Sequence, residues 1–188
     1  MERIKKYFET ITPLTEEDWK VFADRVEKRI FSKNDFVLKA GKRENYLSFI
    51  EKGILRCWLQ QDEKEITFEF SFENSFSSAY ASFTTQTPSE YNIQALTDIV
   101  LWSISYSDLQ YVYENSGVGQ KIGRVAAEEL YMRKSKREIS LLKNSAEQRY
   151  TDLLYGFPKL IQFIPLKYLA SYIGITPQAL SRIRKRIS

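Results

Sequence analysis

The chain has 188 residues, 28 Lys and Arg against 24 Asp and Glu for a net charge of +4, and 43% apolar residues, ample for real cores. It has no histidine and one cysteine, Cys57. The usual zinc and haem sites, an iron–sulfur cluster, a Ser-His-Asp or Cys-His nucleophile and an intrachain disulfide therefore lack their parts, so no metal, no cofactor and no enzyme activity are expected, in a reducing cytoplasm. No run of eighteen apolar residues exists and the charged start Met1-Glu2-Arg3-Ile4-Lys5-Lys6 has no apolar stretch behind it, so neither a membrane span nor a secretory signal is expected.

Residues 1–30 read as helical. Thr15 suits a helix cap ahead of Glu16, Glu17 and Asp18, and Trp19, Phe22, Ala23 and Val26 follow at helical spacing. From Ile30 to about Ser105 the texture changes. Short stretches rich in Phe, Tyr, Ile and Val alternate with turn residues, which predicts strands at Asp35–Lys39, Tyr46–Lys52, Ile54–Gln60, Glu65–Phe72, Glu90–Ala95 and Asp98–Ile104 in a sandwich or barrel. Ser107 is expected to cap a short helix reaching Glu114. A long helix is expected from about Gly117 to Lys143, with Ile122, Val125, Ala126, Leu130, Ile139 and Leu142 in a narrow apolar stripe. Such a stripe faces either a partner helix or the chain's own β domain. Ser145 with Gln148 resembles a capping box for the next helix, which Gly156-Phe157-Pro158 ends.

The last segment, from Pro165, holds Lys167, Arg182, Arg184, Lys185 and Arg186 and no acid, so it carries +5 and the rest of the chain −1. Pro165 fits a first helical turn, and Leu166, Leu169, Ala170 and Ile173 share one face. Gly174 permits a left-handed corner. Thr176 can cap a second helix with Pro177 at its first position, and Leu180 and Ile183 turn inward. The outer face, with Gln178, Ala179, Ser181, Arg182 and Lys185, suits a DNA major groove: Gln pairs with adenine edges, Arg with guanine, and Ser and Lys hold phosphates. The competing reading is a helical hairpin with a basic, solvated face.

A β-rich domain, a long helix and this C-terminal motif, in this order, resemble the Crp/Fnr superfamily of bacterial regulators. The likeness is strongest at Leu166–Arg186 and at Asn45-Tyr46-Leu47-Ser48-Phe49-Ile50-Glu51-Lys52-Gly53-Ile54-Leu55-Arg56, similar to the strand–Gly–strand element of the cyclic-nucleotide-binding fold. Gln94-Ala95-Leu96-Thr97-Asp98 resembles the strand entry after that fold's phosphate cassette. The resemblance implies an α+β chain: an N-terminal double-stranded β-roll with its helix over residues 1–116, a dimerisation helix over 117–144 using Ile122, Val125, Ala126 and Leu130, and a helix-turn-helix domain over 145–188. It implies a homodimer that binds double-stranded DNA through Lys167, Thr176, Gln178, Ala179, Ser181, Arg182 and Lys185, and RNA polymerase as a further partner. Because the sequence stops at Ser188, the wing that usually follows is expected to be truncated or absent.

Members that bind cyclic AMP use a Gly-Glu pair and an Arg some ten residues later. Here the matching region, with Phe76, Ser77, Ser78 and Tyr80 and then Ser89, Glu90 and Tyr91, has neither. Between Arg56 and Arg124 the only cations are Lys64 and Lys121. A buried phosphate needs a paired cation or a nest of amides, so cyclic AMP is not the expected effector. Phe76, Tyr80, Phe83, Tyr91 and Trp102 either line an aromatic cavity or are core. The rival function is a ligand-binding β-roll whose helical tail makes protein–protein contacts; a metal-dependent β-roll enzyme fails for want of histidine.

Overall fold

The computed structural model describes residues 1–158 and 161–187. The chain end at Ser188, on which the expectation of a reduced wing rests, lies outside the described residues. Two helices come first, α1 (Glu2–Ile11) and α2 (Glu16–Ala23). Thr15 caps α2, its Oγ1 accepting the Asp18 amide at 3.1 Å. Eight strands follow: β1 (Val26–Phe31), β2 (Phe36–Leu38), β3 (Tyr46–Lys52), β4 (Leu55–Gln61), β5 (Lys64–Ser71), β6 (Phe76–Ser77), β7 (Asn92–Ala95) and β8 (Ile99–Ser105). A short helix α3 (Tyr80–Thr85) lies between β6 and β7. Five helices follow β8 among the described residues: α4 (Tyr106–Asn115), α5 (Gly119–Lys143), α6 (Ala146–Gly156) and the pair α7 (Leu166–Ile173) and α8 (Pro177–Ile187), with a 3-10 turn at Ile161–Phe163 before α7.

The strands form two four-stranded sheets, β1-β8-β3-β6 and β2-β7-β4-β5, which make the expected β-roll. Two readings of the sequence are corrected. Residues 26–30 are not helical: Val26–Phe31 is an edge strand, antiparallel to β8 in register from Val26↔Ile104 to Phe31↔Ile99. The cap of α4 is Ser105, whose hydroxyl accepts the Asp108 amide, not Ser107. Gly53 sits at φ +101°, and a Cβ there would stand 2.5 Å from the Asp98 carbonyl. Only glycine fits the link between β3 and β4.

By internal contacts the chain forms two compact units, Met1–Cys57 with Phe70–Leu130, and Trp58–Glu69 with the chain from Tyr131 onward. In the first, the alternation of a strand divides the first sheet's side chains between its faces. Phe49 and Trp102 pair across β3 and β8, as do Ser48 and Ser103. Phe49 and Ile104 join Ile4, Phe8, Phe22, Leu109, Val112 and Ile122 in one buried cluster against the helices. On the opposite face Ile50, Ile99 and Leu101 are fully buried, and the Ser48 and Ser103 hydroxyls satisfy each other at 2.8 Å, which removes the cost of burying them. Among the described residues no helix is long and apolar enough to cross a membrane.

Candidate nucleic-acid interface

In the second unit α7 and α8 make a tight corner. Gly174 ends α7 at φ +83°, and its amide and that of Ile175 both return to the Ala170 carbonyl, at 2.9 and 3.0 Å. Ala170 is fully buried, as are Leu169, Ile173 and Leu180, with Ile183 beside them. The Thr176 hydroxyl accepts the Ala179 amide at 3.2 Å and starts α8.

Two arginines fix the end of α7. The guanidinium of Arg149, from the first turn of α6, donates to the Ile173 carbonyl at 2.9 Å and to the Asn144 carbonyl at 2.5 Å. Arg137 lies with its guanidinium 3.8 Å from the centre of the Tyr172 ring and donates to the Tyr172 carbonyl. Each cation meets the negative end of a helix and occupies carbonyls that have no partner within it. Burial lowers the Arg137 pKa, against the pull of the Tyr172 phenol, whose own pKa burial raises. On the other side of α7, Ser171 Oγ accepts the Thr67 amide at 2.9 Å and donates to the Glu65 carbonyl at 3.0 Å, docking the helix on the β4–β5 hairpin.

With Leu180 and Ile183 inward, α8 turns Gln178, Arg182 and Lys185 to solvent in one row, with Thr176 exposed at its start and Ala179 and Ser181 half-buried at its edge. Lys167 is exposed on α7, its ammonium 4.8 Å from the centre of the Tyr168 ring. Arg184, Lys185 and Arg186 form the last turn of α8, where cations suit the helix dipole, and Arg186 pairs with Glu147. Six of the seven positions expected from the sequence therefore lie on or immediately before α8, and Lys167 lies on its neighbour.

The expected effector residues are less coherent. Phe76 and Ser77 form β6, and Ser78 donates to the Tyr46 carbonyl at 2.9 Å. Tyr80 opens α3 and lies 6.4 Å from Phe83, ring to ring. Ser89 is buried, but its hydroxyl closes a turn with the Tyr91 amide and carbonyl, while Glu90 points to solvent. A residue that the sequence did not flag stands among them. Glu44 is 4% exposed, and its carboxylate accepts the Tyr46 amide at 3.1 Å and, at a long 3.4 Å, the amide of Ala79, which precedes α3. Burial pushes the Glu44 carboxyl above its ordinary pKa, against its hydrogen bonds and the charge of Arg29. The cradle around the start of α3 thus already holds a carboxyl group of the chain's own.

Of the expected dimer-helix residues, Ile122 is buried in the first unit's own core, while Val125, Ala126 and Leu130 are half-buried along α5. Arg149 carried one signal in the sequence, a cation in a helix's first turn where the dipole disfavours it. Glu44 carried none.

Residues 28–116 match the family model of the cyclic nucleotide-binding domain. Over this segment the chain is similar to that family. The matched segment takes in β1 to α4 except the first two residues of β1. Solved structures extend the likeness over most of the chain. FixK2 from Bradyrhizobium japonicum superposes with a TM-score of 0.71 at 16% identity, over 86% of this chain and 84% of its own. The c-di-GMP-responsive global regulator CLP of Xanthomonas campestris gives 0.68 at 16%, over 90% of each chain. A crp/fnr-family regulator from Eubacterium rectale gives 0.67 at 19%, over 93% of this chain and 83% of its own. At these identities the likeness is one of fold: a β-roll of the cyclic nucleotide-binding type and a long helix. No curated protein matches the sequence.

Proposed function

We propose that the protein is a homodimeric, sequence-specific DNA-binding regulator, in which α7 and α8 form a helix-turn-helix and α8 enters the major groove. The observation that carries this reading is the row Gln178, Arg182 and Lys185 on the open face of α8, in a segment without a single acid. Gln and Arg have the donors and acceptors for adenine and guanine edges, and Lys167, Thr176 and Ser181 stand where phosphates would pass. Crp/Fnr-type fold neighbours support it, and RNA polymerase is proposed as a further partner from the sequence resemblance alone.

The test is binding to genomic DNA fragments across a salt series. Affinity should fall steeply with salt as counterions are released. Arg182→Ala should weaken specific sites by about 1–3 kcal/mol and leave non-specific binding nearly unchanged. Equal binding by wild type and variant would move the reading to a tail that contacts protein.

The β-roll is proposed not to respond to cyclic AMP. A cyclic phosphate at the start of α3 would have to displace the Glu44 carboxyl from the Ala79 amide, and a phosphate buried without a paired cation is costly. Calorimetry that finds micromolar cyclic AMP binding, abolished by Ser89→Ala or Glu90→Ala, would sink this part of the proposal.

A further inference from the structure

On the face of the first sheet that carries α1, just past the start of that helix, the first unit has an open cleft of about 440 Å³. Arg3 of α1, Lys28 of β1, Glu51 and Lys52 of β3, Glu73 and Val100 of β8 line it. Strand register explains the grouping. Lys28 pairs with Trp102 across β1 and β8, Lys52 pairs with Val100 across β3 and β8, and Ile30 pairs with Val100 from the other side. Paired residues share a face, so Val100, with the 70% exposed Ile30 beside it, gives the cleft an apolar floor.

The charges around that floor are not equivalent. Both carboxylates are already engaged: Glu51 accepts the Trp102 indole N–H at 2.5 Å, and Glu73 accepts the Gly53 amide at 3.0 Å and the Arg3 guanidinium at 3.2 Å. Arg3 also donates to the Glu51 carbonyl at 2.7 Å, and both of its bonds use Nη1. Its Nη2 and Nε donors are open. Neither the Lys28 nor the Lys52 ammonium has an ion pair or a hydrogen bond among the described residues; Lys28 stands over the Trp102 ring, 5.9 Å from its centre. Their strands flank β8, about 10 Å apart across the sheet, so the two ammoniums face each other over Val100. Three cations against two bonded carboxylates leave a surplus of positive charge, and every free donor of the three is cationic.

We infer that this cleft binds a small phosphorylated molecule, its phosphates held by Lys28, Lys52 and the open edge of Arg3 and its organic part lying on Val100 and Ile30. An ammonium serves phosphate as a point charge, and a guanidinium adds paired N–H donors of fixed geometry. The volume lies within the roughly 300–1,000 Å³ of small-molecule sites, with room for both parts of such a ligand. None of the effector residues expected from the sequence lines the cleft, so it is separate from the nucleotide region around α3. The inference concerns the first unit only and stands whether or not α8 binds DNA.

The test uses the full chain and pyrophosphate, the anionic part of such a ligand alone, followed at low salt by calorimetry and by the indole N–H signals of the tryptophans. A dissociation constant below about 1 mM is expected, with a shift of the Trp102 indole and none of Trp58, which lies in the second unit. Lys28→Gln combined with Lys52→Gln should weaken binding about tenfold or more, since two charge-assisted contacts go. Both side chains are exposed, and either single change serves if the pair does not fold. The basic face of α8 is a second place for a polyanion, so Arg182→Gln combined with Lys185→Gln is the control and should leave the Trp102 shift unchanged. A dissociation constant above about 1 mM, undiminished binding in the folded lysine variant, or a Trp102 shift lost in the α8 variant would each overturn the inference.

Discussion

A carboxylate that is 4% exposed and bonded to two amides, as Glu44 is, contributes to stability in an unusual direction. Its folded-state pKa is raised, so between the unfolded and folded values the folded chain binds more protons than the unfolded one. Stability therefore falls as pH rises through the folded pKa, the reverse of a salt-bridged carboxylate. Removing the charge while keeping an amide acceptor removes that slope. Glu44→Gln is expected to lose the decline in unfolding temperature that wild type should show as pH rises above the ordinary carboxylate pKa, and to melt above wild type at the alkaline end of the series. A pH series of thermal melts on both proteins checks it, and parallel curves would show that the carboxylate is better solvated than its burial indicates. Arg29 is the cation that opposes the shift, its guanidinium 4.3 Å from the centre of the Tyr46 ring.

At the scale of elements, α4 and α5 meet through glycines. A Cβ on Gly119 would stand 2.6 Å from the Val112 carbonyl, and one on Gly123 would stand 2.4 Å from the Tyr113 hydroxyl. Alanine in a helix interior is favoured over glycine by about 1 kcal/mol, but overpacking costs about 1–3 kcal/mol. Gly123→Ala should therefore destabilise the protein by up to about 2 kcal/mol, and in a Tyr113→Ala background the same change should become stabilising. A double-mutant cycle by urea unfolding reads that reversal of sign. Legibility in the sequence divides at this scale. Helices set by local chemistry were readable: Thr15, Ser145 and Thr176 each accept the amide three residues on, and Gly174 takes the left-handed turn. The strand Val26–Phe31 was not, because its partner β8 lies far along the chain and its apolar spacing also fits a helix turn. Glu44 was equally opaque, since its role arises only when β3 and the start of α3 come together. The outward row of α8 was readable because an amphipathic helix announces its faces.

For the molecule as a whole the open question is self-association, and α5 bears on it directly. Lys134 and Arg137 turn toward Glu69 and Tyr172 within the second unit, and they define the packed side of the helix there. Met132 and Ile139, seven residues apart, fall on the other side and are 63% and 56% exposed. That one-heptad separation is the spacing that winds two helices into a left-handed pair. Leu142, beside them, is 83% exposed. Apolar side chains this open on one row are better explained by a partner helix than by solvent. Ile122, which the sequence places in the same stripe, belongs instead to the first unit's core, so the proposed contact begins beyond it. Analytical ultracentrifugation of the full chain should give twice the chain mass at micromolar concentration. Met132→Asp combined with Ile139→Asp should give the chain mass with helix content retained, since neither residue is buried. The same variant should lose affinity for a two-fold symmetric DNA site far more than for a single half-site, because two recognition helices about one DNA turn apart need two subunits. A monomeric wild type, or a variant that stays dimeric, would place the contact elsewhere, and a loss of both half-site and full-site binding would mean that the substitutions act through α7 and α8 instead.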